Sequence, residues 1–200
     1  MPKIEKITKQ TENPYVNLYL VEGKNKVDHL FRYYVASRAK TMEALKIKTK
    51  KNTPDGVLMY SLYGEKRDKI VLVRQYRVSI DDYIYEFPAG LVESGEEFHE
   101  AAVREMHEET GLTFHPLKVD PCYEKPFFTT IGMTDEACSA VYGWCEGEIS
   151  RKYLEESEVI EVVLADREEC FLNFLQSTFS INDQNAIFWD VQNRQRESQV

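Results

Sequence analysis

The residues most capable of chemistry lie between Gly90 and Leu112, in the stretch GLVESGEEFHEAAVREMHEETGL. Glu105, Glu108 and Glu109 fall at i, i+3 and i+4, so a helix through them projects all three carboxylates from one face. Like charges so placed repel by roughly a few tenths of a kcal/mol per pair. A divalent cation relieves that repulsion. Carboxylate oxygens are hard ligands suited to Mg²⁺ or Mn²⁺, with substrate phosphate oxygens completing the shell. The ordinary alternative is an acidic helix face that does nothing but solvate.

The flanking residues supply what such a helix needs. Gly90 can take backbone angles closed to other residues where a strand leaves a sheet. Ser94-Gly95 turns the chain into the helix, and the glutamates that follow favour its N-terminus. Phe98, Ala101, Ala102 and Met106 are within helical reach of one another and can seat the helix on a core. Gly111 fits a left-handed stop, with Leu112 the hydrophobic residue beyond it. Arg104 can orient a neighbouring carboxylate through a bidentate pair. His99 and His107 read as surface residues.

Gly90, Glu96, Arg104-Glu105, Met106, Glu108-Glu109, Gly111 and Leu112 occur at the spacing of the Nudix box, G-x5-E-x7-R-E-U-x-E-E-x-G-U, which this segment resembles at every fixed position. Two neighbouring motifs resemble the ADP-ribose pyrophosphatase and nucleotide-sugar diphosphatase branch of that family. They are Val73-Arg74-Gln75-Tyr76-Arg77 and Glu86-Phe87-Pro88-Ala89-Gly90. A strand-rich segment before the core is a third similarity. One feature departs from the branch: Ile131 stands where its S-P-G proline would be, although Gly132 and the acidic pair Asp135-Glu136 follow. That departure keeps other nucleotide sugars open beside ADP-ribose.

The resemblance implies an α/β/α sandwich with a mixed sheet and Mg²⁺-dependent cleavage of a nucleoside diphosphate linked to a sugar, with Mn²⁺ as a possible substitute. From ADP-ribose the products would be AMP and ribose 5-phosphate. It assigns the core metals to Glu105, Glu109 and the Ala89 carbonyl, with Glu108 completing or bridging them and Arg104 in support. It places Arg77 beside the diphosphate, with Arg74 a second strand arginine able to carry positive charge there. Glu86 would contact the adenine or ribose, or else pair with Arg77. Gly132 and Glu136 would serve substrate binding. The general base would come from Leu154-Glu155-Glu156-Ser157-Glu158-Val159, with Glu158 the first choice and Glu156 the second. The N-terminal segment would build a homodimer, and Phe31, Tyr33 and Tyr34 are candidates to stack a base.

Composition bounds these expectations. Two hundred residues suit one medium domain plus an appendage, and an apolar share of 42% permits a real core. A net charge of −9 argues against nonspecific nucleic-acid or anionic-membrane binding but not against small phosphorylated substrates. Cys122, Cys138, Cys145 and Cys170 form no CxxC pair and no zinc-like grouping, which fits reduced thiols in a cytoplasmic protein. The N-terminus lacks an apolar signal core, and no apolar run approaches a membrane span.

Alternation predicts strands around 16–20 and 30–35, and either a strand or a short helix over 42–49. The polar stretch ending in Pro54-Asp55-Gly56 sets a boundary between an N-terminal β segment, 1–55, and a hydrolase domain, 56–200. Strands are expected over 57–63, 69–76, 83–87, 119–125, 137–145 and 157–164, and helices over 166–176 and from about 182 to 193. Three rival functions remain: a diphosphatase of another sugar nucleotide or of damaged nucleotides, a sensor that binds ADP-ribose without cleaving it, and a structural dimer whose acidic helix only solvates. The intact box argues against the sensor.

Overall fold

The computed structural model describes residues 1–154, 158–166 and 169. Glu155, Glu156, Ser157, Cys170, the expected helix over 166–176 apart from Asp166 and Glu169, the expected helix from about 182 to 193 and the tail lie outside these residues. The described part separates into two compact units. The first is Met1–Asp55 with Pro126–Cys138; the second is Gly56–Lys125 with the chain from Ser139 onward.

The first unit holds an antiparallel sheet in the order β1 (Lys3–Lys9), β2 (Asn17–Lys24), β3 (Leu30–Ser37). Alternation along β2 does place residues on two faces, but the buried ones are Asn17, Tyr19, Val21 and Gly23, whereas Leu18 and, just before the strand, Val16 are exposed. The buried Tyr19 keeps its hydroxyl satisfied by donating to the Ala39 carbonyl at 2.7 Å. Residues 42–49 contribute one short helix, α1 (Lys46–Thr49). Strand β1 was not expected, since its lysine-rich run carries a register shift between Ile4 and Lys6 that breaks simple alternation. Within the same unit, β9 (Phe127–Phe128) pairs with Ala137-Cys138.

The second unit is a sheet in the order β11-β5-β4-β10-β8, with β6 on β5 and β7 on β4. These are β4 (Gly56–Tyr63), β5 (Lys69–Arg77), β6 (Asp82–Glu86), β7 (Ala89–Leu91), β8 (Thr113–Pro116), β10 (Ala137–Glu146) and β11 (Ile160–Ala165). The expected strand at 119–125 is absent: that stretch is turn and loop, and the edge strand β8 lies before it, where Phe114 alternates inward. Gly143 permits the β8–β10 pairing, because a β-carbon there would sit 2.3 Å from the Phe114 ring.

Helix α2 (Phe98–Thr110) packs on this sheet. Ala101, Ala102 and Met106 are fully buried against Val57, Met59, Val71, Leu112, Phe114 and Val141. At roughly 25 cal/mol per Å² of apolar surface, seating these side chains outweighs the repulsion among the glutamates on the other side. Ser94-Gly95 forms the turn that leads into the helix, and Glu97 caps it: its carboxylate accepts from the His99 amide while Glu100 reaches back to the Glu97 amide. It ends at Gly111, φ 77°, with the Gly111 N–H donating to the His107 carbonyl.

Candidate active site

The second unit contains a cavity of about 450 Å³ lined by Gln75 and Arg77 of β5, Ala89–Leu91 of β7 with Val92 and Glu93, Arg104, Glu105, Glu108 and Glu109 of α2, and Glu158. The Cβ direction on a helix explains the α2 contribution, because i, i+1, i+4 and i+5 wrap one flank. Strand alternation explains β5, because Gln75 and Arg77 share a face from which Arg74 and Tyr76 are excluded.

Gly90 is required for space rather than for unusual backbone angles. It is not among the positive-φ glycines, and a β-carbon at this position would lie 1.9 Å from Cδ of Glu105. The close approach of β7 to α2 therefore holds the Glu105 carboxylate at the mouth of the cavity.

Arg104 organises the acidic flank. Its guanidinium donates to both oxygens of Glu96 at 2.9 Å, to Glu108 at 2.9 Å and to the Leu91 carbonyl at 3.0 Å, and it forms an ion pair with Glu105 at 2.9 Å. The paired hydrogen bonds from Arg104 hold the Glu96 carboxyl down to about 2.

Glu109 sits in a different environment. It is 3% exposed, and the hydrogen bond it accepts from the Ala89 amide is 3.2 Å long. Burial pushes its carboxyl well above the usual range, and the charges of Glu105 and Glu158 add to that shift. Burial also raises Glu105, against the opposing pull of Arg104. Among the described residues, no three carboxylate, imidazole or thiol groups converge into a closed cation cage. A closed cage is not what Mg²⁺ requires, since it keeps waters and borrows phosphate oxygens around one or two carboxylates. The dry Glu109 carboxyl beside Glu105 and the Ala89 backbone is a donor set that fits such an ion.

Arg77 forks onto Glu86, Nε to Oε1 at 2.9 Å and Nη2 to Oε2. Of the two roles open to Glu86, this geometry shows the pairing one. Arg74 does not line the cavity; it bonds Glu161 at 3.1 Å and lies 4.0 Å over the Tyr83 ring. Gly132 and Glu136 belong to the first unit, where the Gly132 carbonyl accepts from the Tyr33 hydroxyl and Glu136 accepts from Arg38 at 2.7 Å. Tyr34 is exposed in that unit.

A model of the NUDIX domain matches residues 52–182, more than half of the chain. The chain belongs to the NUDIX domain family. It is 36% identical over 99 residues to an ADP-ribose pyrophosphatase of Bacillus subtilis, covering 48% of this chain and 50% of that one. It is 32% identical over 108 residues to an ADP-ribose pyrophosphatase of Saccharomyces cerevisiae, covering 53% and 47%. The chain thus spans about half the length of the curated relatives it matches. A crystal structure of an ADP compounds hydrolase shares its fold, with a TM-score of 0.69 at 18% identity over all of this chain and 97% of that one.

Within this Nudix cavity, sequence reasoning missed Gln75 and Glu93. Gln75 was legible in principle, since strand alternation puts it on the same face as Arg77. Glu93 follows the short β7, which carries too few residues to show a period. His99, read as a surface residue, is partly exposed and bridges Glu97 at 3.1 Å and Glu124 at 2.8 Å.

Proposed function

We propose that this protein hydrolyses the diphosphate linkage of ADP-ribose or a related nucleotide sugar in a Mg²⁺-dependent reaction, giving a nucleoside monophosphate and a sugar phosphate. The observation that carries the reading is Glu109, a carboxylate buried beside two others with one long hydrogen bond from the Ala89 amide. An ionised group so placed costs several kcal/mol, on the order of magnitude for desolvated charges, unless a cation joins it. The names of the relatives add the substrate class.

Glu105, Glu108, Glu109 and the Ala89 carbonyl would hold the ions. Bound Mg²⁺, or Mn²⁺ in its place, would neutralise the diphosphate and polarise its phosphorus toward attack by water. Arg104 keeps Glu105 and Glu108 oriented through its ion pairs. Arg77, held by Glu86, faces the non-bridging phosphate oxygens and stabilises charge developing on them. Glu158 accepts a proton from the attacking water as the new P–O bond forms and the bridging P–O bond breaks. The leaving phosphate departs with its sugar.

The cavity carries Glu93, Glu105, Glu108, Glu109 and Glu158 against Arg77 and Arg104, so a bare diphosphate is repelled and a metal-bearing one is not. The reading includes a homodimer built through 1–55, supported by the exposed Leu18, Leu30 and Tyr34 on one face of the first sheet. It also includes a cytoplasmic location and no nucleic-acid or membrane partner, in keeping with the net charge of −9. Among the described residues, no helix is long and apolar enough to cross a membrane.

The test is hydrolysis of a panel of nucleotide sugars with Mg²⁺ and with excess chelator. Nucleoside monophosphate released only with metal supports the reading, and no monophosphate from any member of the panel rejects it.

A further inference from the structure

Glu158 lines the cavity, and described residues on either side of it in sequence are anchored to the sheet and to α2. After it, the Val159 carbonyl accepts from the Tyr76 amide at 3.2 Å and Ile160 enters register with Gln75. Before it, the chain returns across the end of α2. The Ser150 amide donates to the Thr110 carbonyl at 2.9 Å, and the Lys152 amide donates to Ser150 Oγ at 3.2 Å. The close pass depends on Gly111, where a β-carbon would lie 2.6 Å from Ser150. The Tyr153 ring then packs on the His107 ring, centroids 4.4 Å apart and planes at 40°.

We propose that Tyr153 and His107 are positioning residues for the reaction, setting Glu158 relative to the carboxylates of α2 without touching substrate. The inference rests on the hydrolase reading above and on Glu158 as the base. His107 stands between the buried Met106 and the cavity-lining Glu108, on the same helical turns that carry Glu105 and Glu109. A ring contact to His107 therefore references the Glu158 segment to the rigid body that holds the metal-site carboxylates. It adds a side-chain anchor to α2 at Tyr153, closer in sequence to Glu158 than the Ser150 contact, which narrows the positions the base can sample. Both rings are solvent-exposed, so apolar burial alone does not account for their pairing.

The experiment compares steady-state hydrolysis of ADP-ribose at saturating Mg²⁺ by the wild type, Tyr153→Ala, Tyr153→Phe, His107→Ala, Glu158→Gln and the Tyr153→Ala/Glu158→Gln double variant. The expected result is a kcat about five-fold lower in Tyr153→Ala and His107→Ala with KM unchanged, and wild-type kcat in Tyr153→Phe, as an aromatic contact of ordinary strength implies. The double variant should be no slower than Glu158→Gln alone, because Tyr153 acts only through Glu158. Multiplicative losses in the double variant, wild-type kcat in Tyr153→Ala, or full activity in Glu158→Gln would each overturn the inference while leaving the hydrolase reading in place. A wild type inactive on every nucleotide sugar would overturn both.

Discussion

Gly90 and Glu105 occupy complementary space: a single carbon added to the glycine would fall 1.9 Å from the glutamate's carboxyl carbon. The atom in the way is the far end of a flexible side chain, not backbone. Glu105 can swing aside, and the cost falls on function rather than folding. Gly90→Ala is expected to keep a melting temperature within about 4 °C of wild type, a loss of no more than about 1 kcal/mol. Its turnover should fall at least ~10-fold, about 1.4 kcal/mol of transition-state stabilisation. Calorimetry beside kinetics on the same sample checks both halves.

Glu109→Gln removes one carboxylate charge from the proposed metal site at nearly constant size. Turnover should drop at least ~100-fold, about 2.7 kcal/mol. Without metal, the same change should raise stability at neutral pH. Burial raises the folded-state carboxyl above its unfolded value near 4.5, so its favourable contribution is complete below that value and is lost as pH rises through the folded one. The stability gap between variant and wild type should therefore widen from pH 4 to pH 7 in chelator, as followed by denaturant melts.

Glu96 behaves in the opposite sense. Hydrogen bonds from Arg104 depress its carboxyl from 4.5 to about 2. The stability it contributes is present above 4.5 and is lost as pH falls toward 2. Glu96→Gln should be less stable than wild type at pH 6, and the two should converge near pH 2. A gap that does not depend on pH would remove the ionised pair from the account.

The fork from Arg77 to Glu86 assigns Glu86 to holding the arginine. Glu86→Gln leaves Arg77 with a neutral, poorer acceptor. It should lower kcat/KM for every nucleotide sugar by a similar factor, whatever the base. A loss confined to adenine nucleotides would instead mark Glu86 as a base contact.

Much of this architecture was legible because local signals agreed. The apolar set Phe98, Ala101, Ala102 and Met106 fixed one side of α2, and Gly111 marked its end. The strands 57–63 and 69–76 declared themselves as apolar and aromatic runs around the charged GEKRD turn, which the structure closes with Gly64 and Arg67 at positive φ. Long-range contacts were not legible. The space demanded at Gly90 comes from a helix side chain, the fork on Arg77 from the next strand, and the diversion of Arg74 from Glu161 and Tyr83. Short elements also escaped: β7 and β8 are too brief to show a period, and the alternation in β2 does not reveal which face is inward, because Asn17 and Tyr19 are buried where Leu18 is exposed.

The central claim is that the α2 carboxylates grip divalent cations against a diphosphate. Mn²⁺ titration followed by electron paramagnetic resonance, with and without a non-hydrolysable ADP-ribose analogue, tests it without relying on turnover. The account predicts Mn²⁺ binding that tightens at least ~10-fold when the analogue is present, with the tightening abolished in Glu105→Gln/Glu109→Gln. Equal Mn²⁺ affinity with and without the analogue, or a double variant that binds like wild type, would contradict it.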